Sequence, residues 1–223
     1  MSKKTKIFLV CSLFVILLGG FVGCKNLNRT LDDCVSEVHE AVFCADDDNF
    51  FVEVVSGKIE KDFALDGRKN ELQDFVSIKL KAKKGAYTTV YADFSLKNTK
   101  YSQQLTLSPI DDSVWTATVF DVCDSEKLSL SVLADDKKID YTLEKVQTGQ
   151  IKPIDLLKDA FEDRLMDCFD GESFNCEVSV RLVKSPDQND KKYYWYIVVY
   201  TPDKNYFGLM ADSITGEIVA KKS

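Results

Sequence analysis

Between Phe50 and Val146 apolar and polar residues alternate with a period of two, the signature of half-buried strands. Phe51-Val52-Glu53-Val54-Val55 opens the series and Ser56-Gly57 stops it. Val76, Ile78, Leu80 and Ala82 alternate with Ser77, Lys79 and Lys81. Val90, Ala92, Phe94 and Leu96 share the face of the next run, and Tyr101, Gln103, Leu105 and Leu107 that of another. Trp115, Ala117 and Val119 follow a Pro109-Ile110-Asp111-Asp112 turn. Leu128, Leu130 and Val132 then alternate with serines, and Asp135-Asp136-Lys137-Lys138 turns the chain into Ile139, Tyr141 and Leu143. About seven short strands with polar turns predict an antiparallel β-sandwich over residues 50–147.

On either side the period lengthens. Leu31, Cys34, Val35, Val38 and Val42 have helical spacing, with Thr30 or Asp32 to cap the start. Residues 24–49 therefore read as a polar tether and a short helix. Gly149 and Pro153 punctuate a boundary near 148–152. Pro153 suits the first turn of a helix, and Ile154, Leu157, Phe161, Leu165 and Cys168 trace one stripe along it. Further strands are expected over Cys176–Leu182, Tyr193–Tyr200, Tyr206–Ala211 and Glu217–Ala220. The predicted fold class is α+β, with two parts after the tether. The sandwich at 50–147 has immunoglobulin-like architecture without a Cys…Trp…Cys signature. A small helix-plus-antiparallel-sheet domain occupies 148–223.

The last hairpin carries a resemblance. Asp212, Thr215, Gly216, Glu217 and Ile218 match the closing pattern of PepSY domains, roughly Val-x-Val-Asp-Ala-x-Thr-Gly-Glu-Ile/Val. The resemblance implies an extracytoplasmic, non-catalytic module linked to protease inhibition or regulation in the cell envelope. The residues themselves read as a turn. Gly216 supplies the positive φ, and Asp212 and Thr215 hydrogen-bond the turn backbone.

The chain opens with Lys3, Lys4 and Lys6, an apolar run from Ile7 to Leu18, and Gly19, Gly20 and Gly23. This is the charged head, greasy middle and small-residue end of a signal peptide. Phe21-Val22-Gly23-Cys24 resembles the lipobox of bacterial lipoproteins, departing from it at Phe21, where leucine is usual. The resemblance implies cleavage between Gly23 and Cys24, removal of residues 1–23, and a diacylglycerol on the Cys24 thiol. The partner it implies is the membrane, and the implied place is the extracytoplasmic face. An anchor of this kind needs at least two acyl chains for stable binding.

Removing the leader takes away three lysines and no acid, so the formal charge goes from −7 to −10. Such acidity excludes nucleic acid as an expected partner, because phosphate binding needs clustered Lys and Arg. Of seven cysteines, Cys11 leaves with the leader and Cys24 is modified. Cys34, Cys44, Cys123, Cys168 and Cys176 remain, and Cys168–Cys176 is the one pair placed to close a short loop. No CxxC is present and His39 is the single histidine, so neither a zinc site nor a His-based triad is expected. His39 reads as a surface residue and Asp46-Asp47-Asp48 as a solvated turn. No cofactor is implied. Tyr193 and Trp195, on one face of an aromatic run, are the candidate binding face for an envelope protein or glycan. The expected function is a lipid-anchored, non-catalytic binding or regulatory module. The alternative is an envelope hydrolase whose acidic residues the sequence does not single out.

Overall fold

The computed structural model describes residues 30–62, 69–185, 187 and 190–222. Among the described residues nine strands precede the helix: β1 (Val35–Asp46), β2 (Phe50–Glu60), β3 (Leu72–Ala82), β4 (Val90–Leu96), β5 (Thr99–Gln104), β6 (Thr106–Leu107), β7 (Val114–Val119), β8 (Lys127–Ala134) and β9 (Lys137–Lys145). Helix α1 (Pro153–Met166) follows, then β10 (Glu177–Lys184), β11 (Tyr193–Tyr200), β12 (Tyr206–Asp212) and β13 (Ile218–Lys222).

Strand β1 is where the sequence is most misleading. The helix expected over 31–43 is a single 3-10 turn, Asp32–Cys34, followed by a twelve-residue strand. A bulge between His39 and Ala41 shifts the phase of the strand, so its apolar positions do not keep a strict period of two. Both faces of the strand are also covered. Val42 packs into the core beneath α1, while its neighbours Ala41 and Phe43 pack into the other core. A strand buried on both faces loses its period of two.

β1 pairs antiparallel with β2 along most of its length. Its other edge is shared. Val35–Val38 pair parallel with Val178–Val180 of β10, and Phe43–Cys44 pair antiparallel with Lys145 and Glu144 of β9. The sheet therefore branches at β1. One branch runs β10-β11-β12-β13, and the other runs β2-β3-β7-β6. β5 leads directly through Leu105 into β6, and β5-β4-β8-β9 returns to β1. The N-terminal strands thus form a nearly closed barrel with β1 as its seam.

This corrects the predicted fold class. The chain is one mostly antiparallel, branched sheet with one α-helix among the described residues, and it does not form an α+β pair with a separate PepSY-like domain. The strands form where the period-two alternation predicts them, except that the run from Tyr101 to Leu107 divides into β5 and β6; β1 joins the barrel, and the C-terminal strands extend the same sheet. Two cores result. Phe43, Phe50, Val54, Ile78, Trp115 and Leu130 fill the barrel. Leu157, Phe161, Trp195, Ile197 and Phe207 lie between α1 and the C-terminal strands. The helical stripe Ile154, Leu157, Phe161 and Leu165 is buried as its spacing predicts, with Pro153 in the first turn.

Gly57 faces the bulge, where a Cβ would come within 1.9 Å of the Val38 carbonyl oxygen, so only glycine lets β1 and β2 approach there. The final hairpin is built as its residues predict. Asp212 Oδ1 accepts the amides of Ile214 and Thr215, both at 2.9 Å, and Gly216 takes a φ of +76°. Those two amides hold the Asp212 carboxyl below the usual carboxylate range.

Candidate functional site

A concavity of about 920 Å³ lies on the solvent face of β5-β4-β8-β9. Its floor follows from register. Asp93 on β4 stands opposite Ser102 of β5 and Ser131 of β8, and Ser131 stands opposite Asp140 of β9. A second row pairs Ser95 with Lys100 and Ser129 with Thr142. The buried residues between them, Phe94, Leu130 and Tyr141, point into the barrel. The small hydroxyl side chains leave a trough walled by longer charged ones. Hydroxyls and carboxylates on this surface can hydrogen-bond, and Phe94, Tyr101, Leu128, Leu130 and Tyr141 supply apolar area beside them.

A second concavity, about 480 Å³, lies beside the branch of β1 and is lined by Glu37, His39, Val55, Glu60, Phe75 and Phe120 among others. Glu37 is its chemical centre. Arg181 on β10 donates to Glu37 Oε2 from Nε at 2.7 Å and from Nη2 at 2.6 Å. The Ser179 hydroxyl donates to the same oxygen at 2.8 Å. His39 Nε2 lies 3.2 Å from Oε1. The Leu182 amide lies 3.3 Å from His39 Nδ1, and an amide can only donate. Nδ1 therefore accepts, and Nε2 carries the proton that Glu37 receives as a hydrogen bond.

Burial alone would push the Glu37 carboxyl up. The hydrogen bond from His39, the Arg181 guanidinium and the Ser179 hydroxyl outweigh burial and lower it to about 2. A carboxylate held there takes up no proton near neutral pH, and its close donors among the described residues come from β1 and β10. His39, with both ring nitrogens engaged, continues the ladder where parallel backbone pairing stops at Val38–Val180. The group is a joint between the two branches, built like a charge lock and unlike a proton-transfer device. Glu60 lines the same groove, but its carboxylate accepts the Asn70 amide.

No family model, no curated protein and no solved structure matches this chain. The functional argument therefore rests on residues and geometry. Gly23 and Cys24, the processing and lipidation positions, lie outside the described residues.

Tyr193 and Trp195, expected as a binding face, are buried in the core beneath α1. The strand presents its other face outward. Tyr196 is 39% exposed and Tyr206, on β12, is 46% exposed, with Lys222 Nζ 3.6 Å from the Tyr206 ring centroid. Aromatics occupy both faces of this strand, so composition could not choose between them. Trp195 Nε1 is buried with no hydrogen-bond partner among the described residues, and the Tyr193 hydroxyl meets only the weakly polar Cys44 thiol. Burial, with Cys44 and Glu53 adding, pushes the Tyr193 phenol far above its usual range.

His39 is half-buried in the joint and not a surface residue. Glu37, Ser179 and Arg181 gave no sequence signal. The one available hint was charge on strand positions that β-propensity would leave apolar. Among the described residues, no group of three His, Cys, Asp or Glu side chains is placed to hold a metal ion.

Proposed function

We propose that this chain is a lipid-anchored protein of the extracytoplasmic face of a bacterial membrane, acting as a non-catalytic binding or regulatory module of the cell envelope. The Phe21-Val22-Gly23-Cys24 motif behind a charged and apolar leader carries this reading. A diacylated Cys24 holds the protein at the membrane without a transmembrane helix. Six residue steps separate Cys24 from Thr30, where the described fold begins. At full extension they reach only about 20 Å, so the body stands close to the bilayer surface.

The non-catalytic part of the reading is supported by the state of the candidate acids. The hydrolase alternative needs two close carboxylates with separated proton affinities. In the groove beside β1, Glu37 is spent on the Arg181 ion pair and Glu60 accepts a backbone amide, while Asp93 and Asp140 of the trough stand a full strand apart with Ser131 between them. The hydroxyl-lined trough of Ser95, Ser102, Ser129 and Ser131 is the surface best suited to an envelope glycan or a polar protein partner. The net acidity of the mature chain argues against nucleic acid.

Replacing Cys24 with alanine is expected to abolish incorporation of a labelled fatty acid and to release the protein from the membrane fraction. Labelling that persists in Cys24→Ala would refute the anchor. Recovery of neither a protein nor a glycan on the anchored chain from intact envelope would contradict the binding role.

A further inference from the structure

Three thiols from distant parts of the sequence meet where α1 ends. Cys34 ends the 3-10 turn before β1, Cys168 lies two residues beyond α1, and Cys176 precedes β10. All three are buried in the core beneath the helix. The loop between the last two is folded back on itself. Asn175 donates its amide to the Cys168 carbonyl at 2.7 Å, and Phe169 and Phe174 form an antiparallel bridge. The Cys34 thiol lies 3.7 Å from the Phe174 carbonyl oxygen. Cys176 is the middle member, its thiol within hydrogen-bonding reach of both Cys168 and Cys34. Cys168 and Cys176 are free thiols.

The members differ in access. Cys34 and Cys176 are fully buried, whereas Cys168 retains 7% exposure and lines a cavity of about 450 Å³. Arg164, Phe169, Asn175 and Thr201 line the same cavity.

We propose that Cys168 and Cys176 form a thiol–disulfide exchange site, with Cys168 reacting first through this cavity and a small organic disulfide, R–S–S–R, as oxidant. The Cys168 thiolate attacks one sulfur of R–S–S–R, forms the mixed disulfide Cys168–S–S–R and expels RS⁻. Cys176 then loses its proton and attacks Cys168 Sγ. The Cys168–Cys176 bond forms, the second RS⁻ leaves, and the two protons complete two molecules of RSH. Two protein thiols are oxidised and one external disulfide is reduced. The hydrogen bond from Cys176, with help from Arg164, lowers the Cys168 thiol, while its contacts and burial push the Cys176 thiol far up, so the more accessible sulfur is also the better nucleophile. The product ties the end of α1 to the start of β10, the strand that joins the barrel seam. The chemistry belongs to the fold, and only its occurrence in the cell rests on the extracytoplasmic address.

The test uses the purified full-length chain incubated with oxidised glutathione under native conditions, then alkylated, digested and analysed by mass spectrometry. A cross-linked Cys168–Cys176 peptide is expected, with Cys34, Cys44 and Cys123 alkylated. Cys168 should react about tenfold or more faster than Cys44 or Cys123, although both of those are more exposed. Cys176→Ser should trap the glutathione adduct on Cys168, and Cys168→Ser should leave Cys176 as a thiol. Adducts forming first on Cys44 or Cys123, a Cys34–Cys176 bond in place of Cys168–Cys176, or no loss of free thiols would overturn the proposal.

Discussion

Arg181→Ala is expected to lower the free energy of unfolding by about 3 kcal/mol at neutral pH, the lower end of the range for breaking a buried ion pair. The substitution leaves Glu37 charged, almost fully buried and deprived of its closest donors. Arg181 is itself about one-third exposed, so water can reach the vacated site and soften the loss. The effect should depend on pH in a definite sense. The Glu37 carboxyl falls from 4.5 to about 2 on folding. A depressed carboxylate contributes stability that is fully present above about 4.5 and is lost as pH falls towards 2. Without Arg181 burial gains ground and the folded-state value rises. The gap between the parent and Arg181→Ala should therefore narrow between pH 7 and pH 3. Urea denaturation at the two pH values measures it. A gap that stays constant would show that the guanidinium does not set the state of Glu37.

Phe43→Ala is expected to cost about 3–5 kcal/mol, the range for removing a buried aromatic side chain. Phe43 is fully buried on β1, opposite Val54 of β2 and Lys145 of β9, at the seam that closes the barrel. The cavity would lie in the strand that both branches share. Its consequence should extend to the helix side, because neighbouring Val42 packs beneath α1. Thermal or denaturant unfolding should show the whole transition shifted. A loss confined to the barrel, with α1 and β10–β13 unfolding at the original midpoint, would contradict the expectation.

Much of the sheet was legible because it obeys one rule. In β3, β4, β7, β8 and β9 one face meets the barrel core and the other is largely exposed, so period-two alternation marks these strands directly. The helix was legible because Ile154, Leu157, Phe161 and Leu165 line one face with Pro153 at its start. The closing turn was legible because Asp212 and Gly216 act within four residues of each other.

What failed to show is long-range or two-sided. β1 is buried on both faces and bulged, and its pattern imitates a helix. Its parallel partner β10 lies about 140 residues away, and no local signal announces such a pairing. The apparent boundary near 148–152 is real as a change of local pattern, yet the hydrogen-bonded sheet crosses from one side of it to the other through β1. For the same reason Glu37, His39, Ser179 and Arg181 could not be grouped from sequence, since their proximity is a product of the β1–β10 pairing. Tyr193 and Trp195 lie on the buried face of β11, which carries aromatics on both faces, so composition does not tell the two apart. Cys168 and Cys176 are close in sequence, a spacing that could close a short loop, and both are free thiols in the structure.

The central claim is that β1 makes one cooperative structure of the barrel and the helix-covered sheet. The chain's two tryptophans divide between them, Trp115 in the barrel core and Trp195 beneath α1. Trp195→Phe leaves a reporter for the barrel alone, and Trp115→Phe leaves one for the helix side. In each variant the urea transition followed by tryptophan fluorescence should be compared with that followed by far-ultraviolet circular dichroism. The account predicts that the two curves coincide within each variant, as a single two-state unit requires. A fluorescence midpoint separated from the circular dichroism midpoint, with one core melting while the other persists, would contradict it.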